Sequence, residues 1–199
     1  IIKVWLVIET LLRQKKKPDK IILWLYEGEF NGRTSLPGNL LRLEKRGLEI
    51  RFCKENLRPH LKYFYTMLEN PDAIIITIDD DMFYPLDLTE KLFNFYRKYQ
   101  DSIICTLTRE IKIDGNRILP YVEWEYLKKN TKPSKKNLIM GCGGALFPPN
   151  SLHPDVFNTE ILKKFALTAD DLWLKVMSLR VGTRVVSIGG EYPRFFIPV

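Results

Sequence analysis

Cysteine is scarce in this chain. The 199 residues hold three, Cys53, Cys105 and Cys142. That odd number, with no Cys-x-x-Cys spacing, disfavours both a disulfide framework and a zinc site and points to a reducing compartment. Histidine is scarcer: His60 and His153 are the only two, so there is no HExxH helix and no histidine pair for a metal. No Gly-x4-Gly-Lys-Ser/Thr occurs, which excludes a P-loop, and no Gly-x-Gly-x-x-Gly follows a first strand. Long apolar runs are missing as well. The longest, Ile1 to Leu12, is interrupted by Lys3 and Glu9 and is too short to span a bilayer. It also lacks the basic leader and small-residue cleavage site of a signal peptide. Repeats and interdomain linkers are absent.

What remains is the balance of a globular protein, with 45% hydrophobic and 28% charged residues. One compact domain over residues 1–199 is expected at this length. The net charge is +7, which first suggests an anionic partner: nucleic acid, a phosphorylated small molecule or an anionic membrane. Its distribution sharpens that reading. Residues 1–62 carry 14 Lys and Arg against 7 Asp and Glu, while residues 63–199 carry 17 of each. The excess lies in the first third, a part that resembles a nucleotide-binding half, and that resemblance favours a nucleotide diphosphate or an anionic membrane surface over DNA and RNA.

Residues 1–17 read as a helix with a broad apolar face, stopped by Pro18. Lys20 to Tyr26 is a nearly continuous apolar run, the pattern of a strand buried on both faces. Leu40 to Arg46 is a short helix closed by Gly47, and Leu48 to Phe52 a second strand. Arg58 to Leu68 reads as helix. Ala73 to Ile78 is the strongest strand in the sequence and runs directly into Asp79-Asp80-Asp81. Asp87 to Tyr99 is an amphipathic helix and Ile103 to Leu107 another strand. Lys128 to Lys136 reads as a mobile exposed loop, and Gly141 to Pro149 as a glycine-rich turn into a short strand. Ala169 to Leu179 is a helix and Arg184 to Ile188 a final strand. The alternation predicts an α/β sheet with helices on both faces.

Two acidic clusters carry the chemistry. Three carboxylates after a buried strand repel one another, an expensive way to make a turn unless a cation is present. The carboxyl ends of strands are also where open α/β sheets bind ligands. Asp170 and Asp171 have two compatible readings. Thr168 and Asp171 have capping-box spacing, and a capped helix start would hold a carboxylate rigidly, as a general base requires. Gly141, Gly143 and Gly144 make either a tight turn or a close backbone approach to a ligand. Lys62 binds a phosphate, pairs with the aspartates, or lies on a solvated helix face.

Several segments in order carry a family resemblance: Pro18 to Leu25, Leu36-Pro37, His60 to Lys62, Ile74 to Pro85 with its Asp79-Asp80-Asp81, Gly141 to Pro149, and Ala169-Asp-Asp-Leu-Trp173. Together they resemble a GT-A glycosyltransferase. More closely, they resemble the bacterial family 2-like enzymes of capsule and lipopolysaccharide loci. The resemblance implies a Rossmann-like, mostly parallel sheet with helices on both faces. Such folds begin with a strand that helps hold the nucleotide base, whereas this chain begins inside its first helix, so a sheet lacking its first strand is expected. The implied activity is metal-dependent, inverting transfer of a sugar from a nucleotide-diphosphate sugar to a glycan or glycolipid acceptor. The enzyme would be cytoplasmic, at the inner face of the membrane and in peripheral contact with anionic lipid. The implied cofactor is Mn²⁺ or Mg²⁺, held by Asp81 and Asp79. Lys62, Asp79, Asp80, Gly143 and Gly144 would bind the nucleotide sugar, Trp173 would stack on the acceptor, and Asp171 would be the base, with Asp170 as its alternative. A nucleotidyltransferase of related fold, a haloacid-dehalogenase-type phosphatase and a basic nucleic-acid-binding domain are the competing readings.

Overall fold

The computed structural model describes residues 3–189; Ile1, read into the first helix, lies outside them. Helix α1 (Val4–Leu12) buries Val4, Val7, Ile8 and Leu11 along one stripe, the i, i+3, i+4, i+7 spacing of a single helical face. It stops earlier than residue 17 because Gln14 turns inward. The Gln14 amide donates to the carbonyls of Thr10 and Pro85, and its Oε1 accepts from the Thr89 N–H. Those bonds tie the end of α1 to the segment around Pro85 and Thr89.

Strand β1 (Ile21–Tyr26) pairs in parallel with β2 (Leu48–Cys53), from Ile21 opposite Leu48 to Tyr26 opposite Cys53. Their crossover holds α2 (Gly38–Leu41) and a 3-10 turn over Arg42–Arg46. Gly47, at φ 108°, ends that turn in the left-handed region that glycine enters without steric cost. The single helix expected over Arg58 to Leu68 divides into a 3-10 turn, Arg58–Lys62, and α3 (Phe64–Glu69). Tyr63, at φ −130°, is the break between them.

After β3 (Ile75–Thr77) come α4 (Leu88–Lys98), β4 (Ser102–Glu110) and a small hairpin of β5 (Ile113–Asp114) and β6 (Arg117–Ile118). Then follow β7 (Glu125–Tyr126), β8 (Asn137–Phe147), α5 (Thr159–Phe165), α6 (Asp170–Arg180) and β9 (Arg184–Ser187). The main sheet runs β3-β8-β4, with β7 and β9 both on the far side of β4. It is mixed. Within it β9 runs parallel to β4, while β8 runs antiparallel to both β3 and β4; the parallel β1–β2 pair is a separate two-stranded sheet. The α/β class therefore stands, and the parallel character belongs to the elements joined by helical crossovers.

Helices cover both faces, as the alternation predicted. On one side Leu88 and Leu92 of α4 pack with α1 residues and with Ile104, Leu107, Met140, Leu146 and Val186. On the other, Trp173, Leu174 and Met177 of α6 pack with Ile103, Cys105, Ile139, Ala145, Phe147 and Val185. The period-2 alternation of β4 sends neighbouring residues to opposite cores.

Three segments differ from expectation. The glycine-rich segment is the middle of β8, an eleven-residue strand, rather than a turn. Lys128 to Lys136 is fastened down: Ser134 and Val185 exchange both backbone hydrogen bonds, and the Thr131 N–H donates to the Ser187 carbonyl. Finally, β1 and β3 are only partly buried over most of their length. They are not paired with each other, and both wall a cavity of about 1140 Å³. No helix among the described residues is long and apolar enough to cross a membrane.

Candidate active site

Asp79, Asp80 and Asp81 follow the C-terminal end of β3 and line the large cavity together with Lys62, Cys142, Asp170 and Asp171. The topology makes this meeting. Antiparallel pairing with β3 brings the Gly141–Gly144 stretch of β8 alongside the aspartate loop, and α6 begins against the same part of β8.

Lys62 is at the centre. Its ammonium donates to Asp79 Oδ1 at 2.6 Å. It also lies 2.7 Å from Asp170 Oδ2, an ion pair too bent to count as a directed hydrogen bond. Burial alone would lower its pKa, but the carboxylates of Asp79 and Asp170 overcome that and raise it, so the ammonium stays charged. Asp79 goes the other way from an exposed acid: burial raises its pKa, and Lys62 offsets only part of the effect.

Asp171 lies beside this pair. Its Oδ1 accepts from the Gly141 N–H at 2.8 Å. Burial and the neighbouring Asp170 charge push its pKa up to about 6, against the pull of Lys62 and the Gly141 bond. The capping box does not form. The residue preceding α6 is Ala169, and no side chain caps the helix. Asp171 is therefore held by β8, not by its own helix.

Gly141 explains how these groups fit. A Cβ at this position would lie 2.6 Å from Lys62 Nζ and 3.1 Å from Asp171 Oδ1. The absence of a side chain there hollows the strand for the ammonium.

The other expected residues divide. Asp80 and Asp81 line the cavity, and Asp81 is exposed. Gly143 is turned away from it: its Cβ would collide with Thr106 and Leu107 inside the sheet. Gly144, at φ 89°, faces Leu88 and Ile78. Neither lines the cavity; packing inside the sheet accounts for Gly143 and the positive φ for Gly144. Trp173 is 5% exposed, and its indole N–H donates to the Val156 carbonyl. It is part of the α6 core and presents no ring face for an acceptor to stack on.

The expected Mn²⁺ or Mg²⁺ meets an obstacle. Among the described residues, no three His, Cys, Asp or Glu side chains are placed to hold an ion together. Asp79 is already engaged by Lys62, and Asp81 belongs to an exposed part of the loop. As the side chains stand, they do not fit a resident metal.

Sequence reasoning missed the supports. His60 is fully buried, with Nδ1 2.8 Å from Tyr63 Oη and Nε2 2.8 Å from the Ala166 carbonyl. It fastens the turn that carries Lys62 to the loop that enters α6, and burial lowers its pKa, favouring the neutral ring. Tyr84 braces the aspartate loop: its Oη accepts from the Asp79 N–H at 3.0 Å and donates to the Cys142 carbonyl at 2.8 Å. The one sequence signal for Tyr84 was its place three residues after the acidic run. Tyr84→Phe is expected to lower stability by about 1–2 kcal/mol, because the part-buried Asp79 N–H and Cys142 carbonyl lose the hydroxyl. The urea midpoint should fall accordingly, and an unchanged midpoint would mean that the loop does not depend on the hydroxyl.

The wider cavity is charged with both signs. Lys16, Lys17, Lys20 and Arg58 line it along with Lys62 and the aspartates. The basic excess of the first 62 residues thus reaches the cavity.

No family model and no curated protein matches the sequence. Among solved structures, apo UDP-glucose pyrophosphorylase aligns with a TM-score of 0.49 at 12% identity, over 100% of this chain and 80% of that one. At that score and identity, the likeness says nothing of chemistry.

Proposed function

We propose that the protein transfers a sugar from a nucleotide-diphosphate sugar to a hydroxyl of a glycan or glycolipid, with inversion, in surface polysaccharide synthesis at the inner face of the membrane. The observation that carries this reading is the Asp171 carboxylate. It is held by the Gly141 N–H, with its pKa raised to about 6, at the edge of a cavity that also holds Lys62 and the Asp79–Asp81 loop. A base with that pKa is ionised at neutral pH, yet accepts a proton more readily than an exposed aspartate.

In this reading the diphosphate lies near Lys62 and the basic side chains of the cavity. Asp171 takes the proton from the acceptor hydroxyl as its oxygen bonds to the anomeric carbon. The bond from that carbon to the diphosphate breaks, and the nucleotide leaves with the electron pair. Asp170 serves less well as the base, since it is engaged by Lys62. Asp79 and Asp80 bound the donor pocket at the end of β3. Fixed charges and positioning supply most of the acceleration.

Thermal-shift screening with UDP-, GDP-, CMP- and dTDP-sugars tests the donor class. One nucleotide series should raise Tm in proportion to the logarithm of its concentration, a gain of about 2.7 kcal/mol at 100 times Kd. No shift with any of them would overturn the reading. Consumption of a sugar phosphate and a nucleoside triphosphate, with release of pyrophosphate, would replace it with nucleotidyl transfer.

A further inference from the structure

The position between the two acidic clusters is filled by a side chain of the protein itself. Lys62 reaches Asp79 at 2.6 Å and Asp170 at 2.7 Å, with its side chain 12% exposed. Three features show that this placement is built into the fold. First, β8 has no Cβ at Gly141, where one would lie 2.6 Å from the ammonium. Second, His60 clamps the Lys62 turn to the Ala166 carbonyl on one side and to Tyr63 on the other. Third, the turn starts at Arg58, a non-glycine residue at φ 54° whose N–H is held by Asn56 Oδ1. A residue in that region is strained and persists where the surroundings over-determine it.

We infer that the Lys62 ammonium is the resident cation of this site, occupying the place between Asp79 and Asp170 and excluding a divalent metal from it. An ammonium has three N–H donors and no acceptor. Asp79 takes one of its N–H directions and Asp170 adds an ion pair, and Lys62 still lines the cavity, which leaves a donor for a phosphate oxygen. A divalent ion bound to Asp79 would have to displace the ammonium or sit within direct repulsion of it. The nucleotide diphosphate would then bind without a metal. This deepens the proposed function, on which its nucleotide arm rests; the metal arm is independent of it.

The experiment titrates Mn²⁺ alone into the wild-type chain and into Lys62→Met and Lys62→Arg, with free Mn²⁺ read by electron paramagnetic resonance. Lys62→Met should bind Mn²⁺ at least tenfold more tightly than wild type, because the carboxylates lose their internal partner. Lys62→Arg keeps the charge and should behave as wild type. Wild-type protein that binds Mn²⁺ as tightly as Lys62→Met would overturn the inference. Should Lys62→Met fail to fold, the wild type decides the matter through UDP binding in EDTA and in Mn²⁺. The two dissociation constants should agree within about twofold, and UDP binding that requires Mn²⁺ would overturn the inference. If UDP binds in neither condition while the Mn²⁺ titrations come out as expected, the nucleotide reading fails and the cation assignment stands.

Discussion

Asp171→Asn should abolish sugar transfer and make the protein more stable. The loss of rate should be about 10³-fold, within the range for removing a general base, while donor binding persists. The gain in stability follows from linkage. Asp171 has a folded-state pKa of about 6, raised from 3.8 by burial and by the Asp170 charge. The folded protein therefore holds this proton more tightly than the unfolded chain. Between those two values stability falls as pH rises, and above about pH 6 the ionised carboxylate imposes its full cost. That cost is about 3 kcal/mol at 1.36 kcal/mol per pKa unit. Asparagine carries no charge, and its amide oxygen can still accept from the Gly141 N–H. The Tm difference between variant and wild type should be about 5 °C or more at pH 8 and should shrink toward zero near pH 4. The wild-type rate should rise with pH through about 6 and then level off. Destabilisation at pH 8 would instead mean that the Gly141 bond to a charged carboxylate outweighs the cost of burying it, and that Asp171 is a structural residue.

Gly143→Ala should have the largest effect on folding. The added Cβ would lie 2.2 Å from Thr106 Oγ1, 2.7 Å from Leu107 Cγ and 3.0 Å from Leu107 Cβ. Leu107 is buried, and the opposing stretch of β4 carries a register shift between Cys105 and Leu107. The neighbours are short or packed side chains in the middle of a sheet, so relief requires backbone movement. Overpacking of this kind costs about 3 kcal/mol, a large share of the stability of about 5–15 kcal/mol that a domain commonly has. A urea titration should show the midpoint falling sharply. Thr106→Ala in the same chain should recover part of the loss, since it removes the closest contact and leaves the Leu107 contacts. A loss under about 0.5 kcal/mol would show that β4 and β8 separate there without strain.

Local pattern carried the fold a long way. The amphipathic stripe of α1, the apolar run of β1, the left-handed Gly47 and the alternation of helices with strands are all short-range signals. What escaped was what depends on distant neighbours. Gly141, Gly143 and Gly144 look like a turn because glycine is the commonest turn residue. Here they lie within a strand because Lys62, Thr106 and Leu107 from elsewhere in the chain need the space. The Thr168–Asp171 spacing matches a capping box, but the Asp171 carboxylate is drawn to β8 instead. Trp173 reads as an aromatic platform, yet its face of α6 turns into the core.

The sequence by itself determined the α/β class, the two acidic clusters that the fold brings to one cavity, and the bias of positive charge toward the first third. These rest on periodicity and composition, which are written along the chain. Only the tertiary structure decided that Asp171 is held by the Gly141 N–H while Lys62 joins Asp79 to Asp170, and that Gly143 and Trp173 pack into the core. Each of those outcomes is a competition for space or for a hydrogen-bond partner between residues tens of positions apart. Such competitions are settled by packing and desolvation, which exist once the chain is folded.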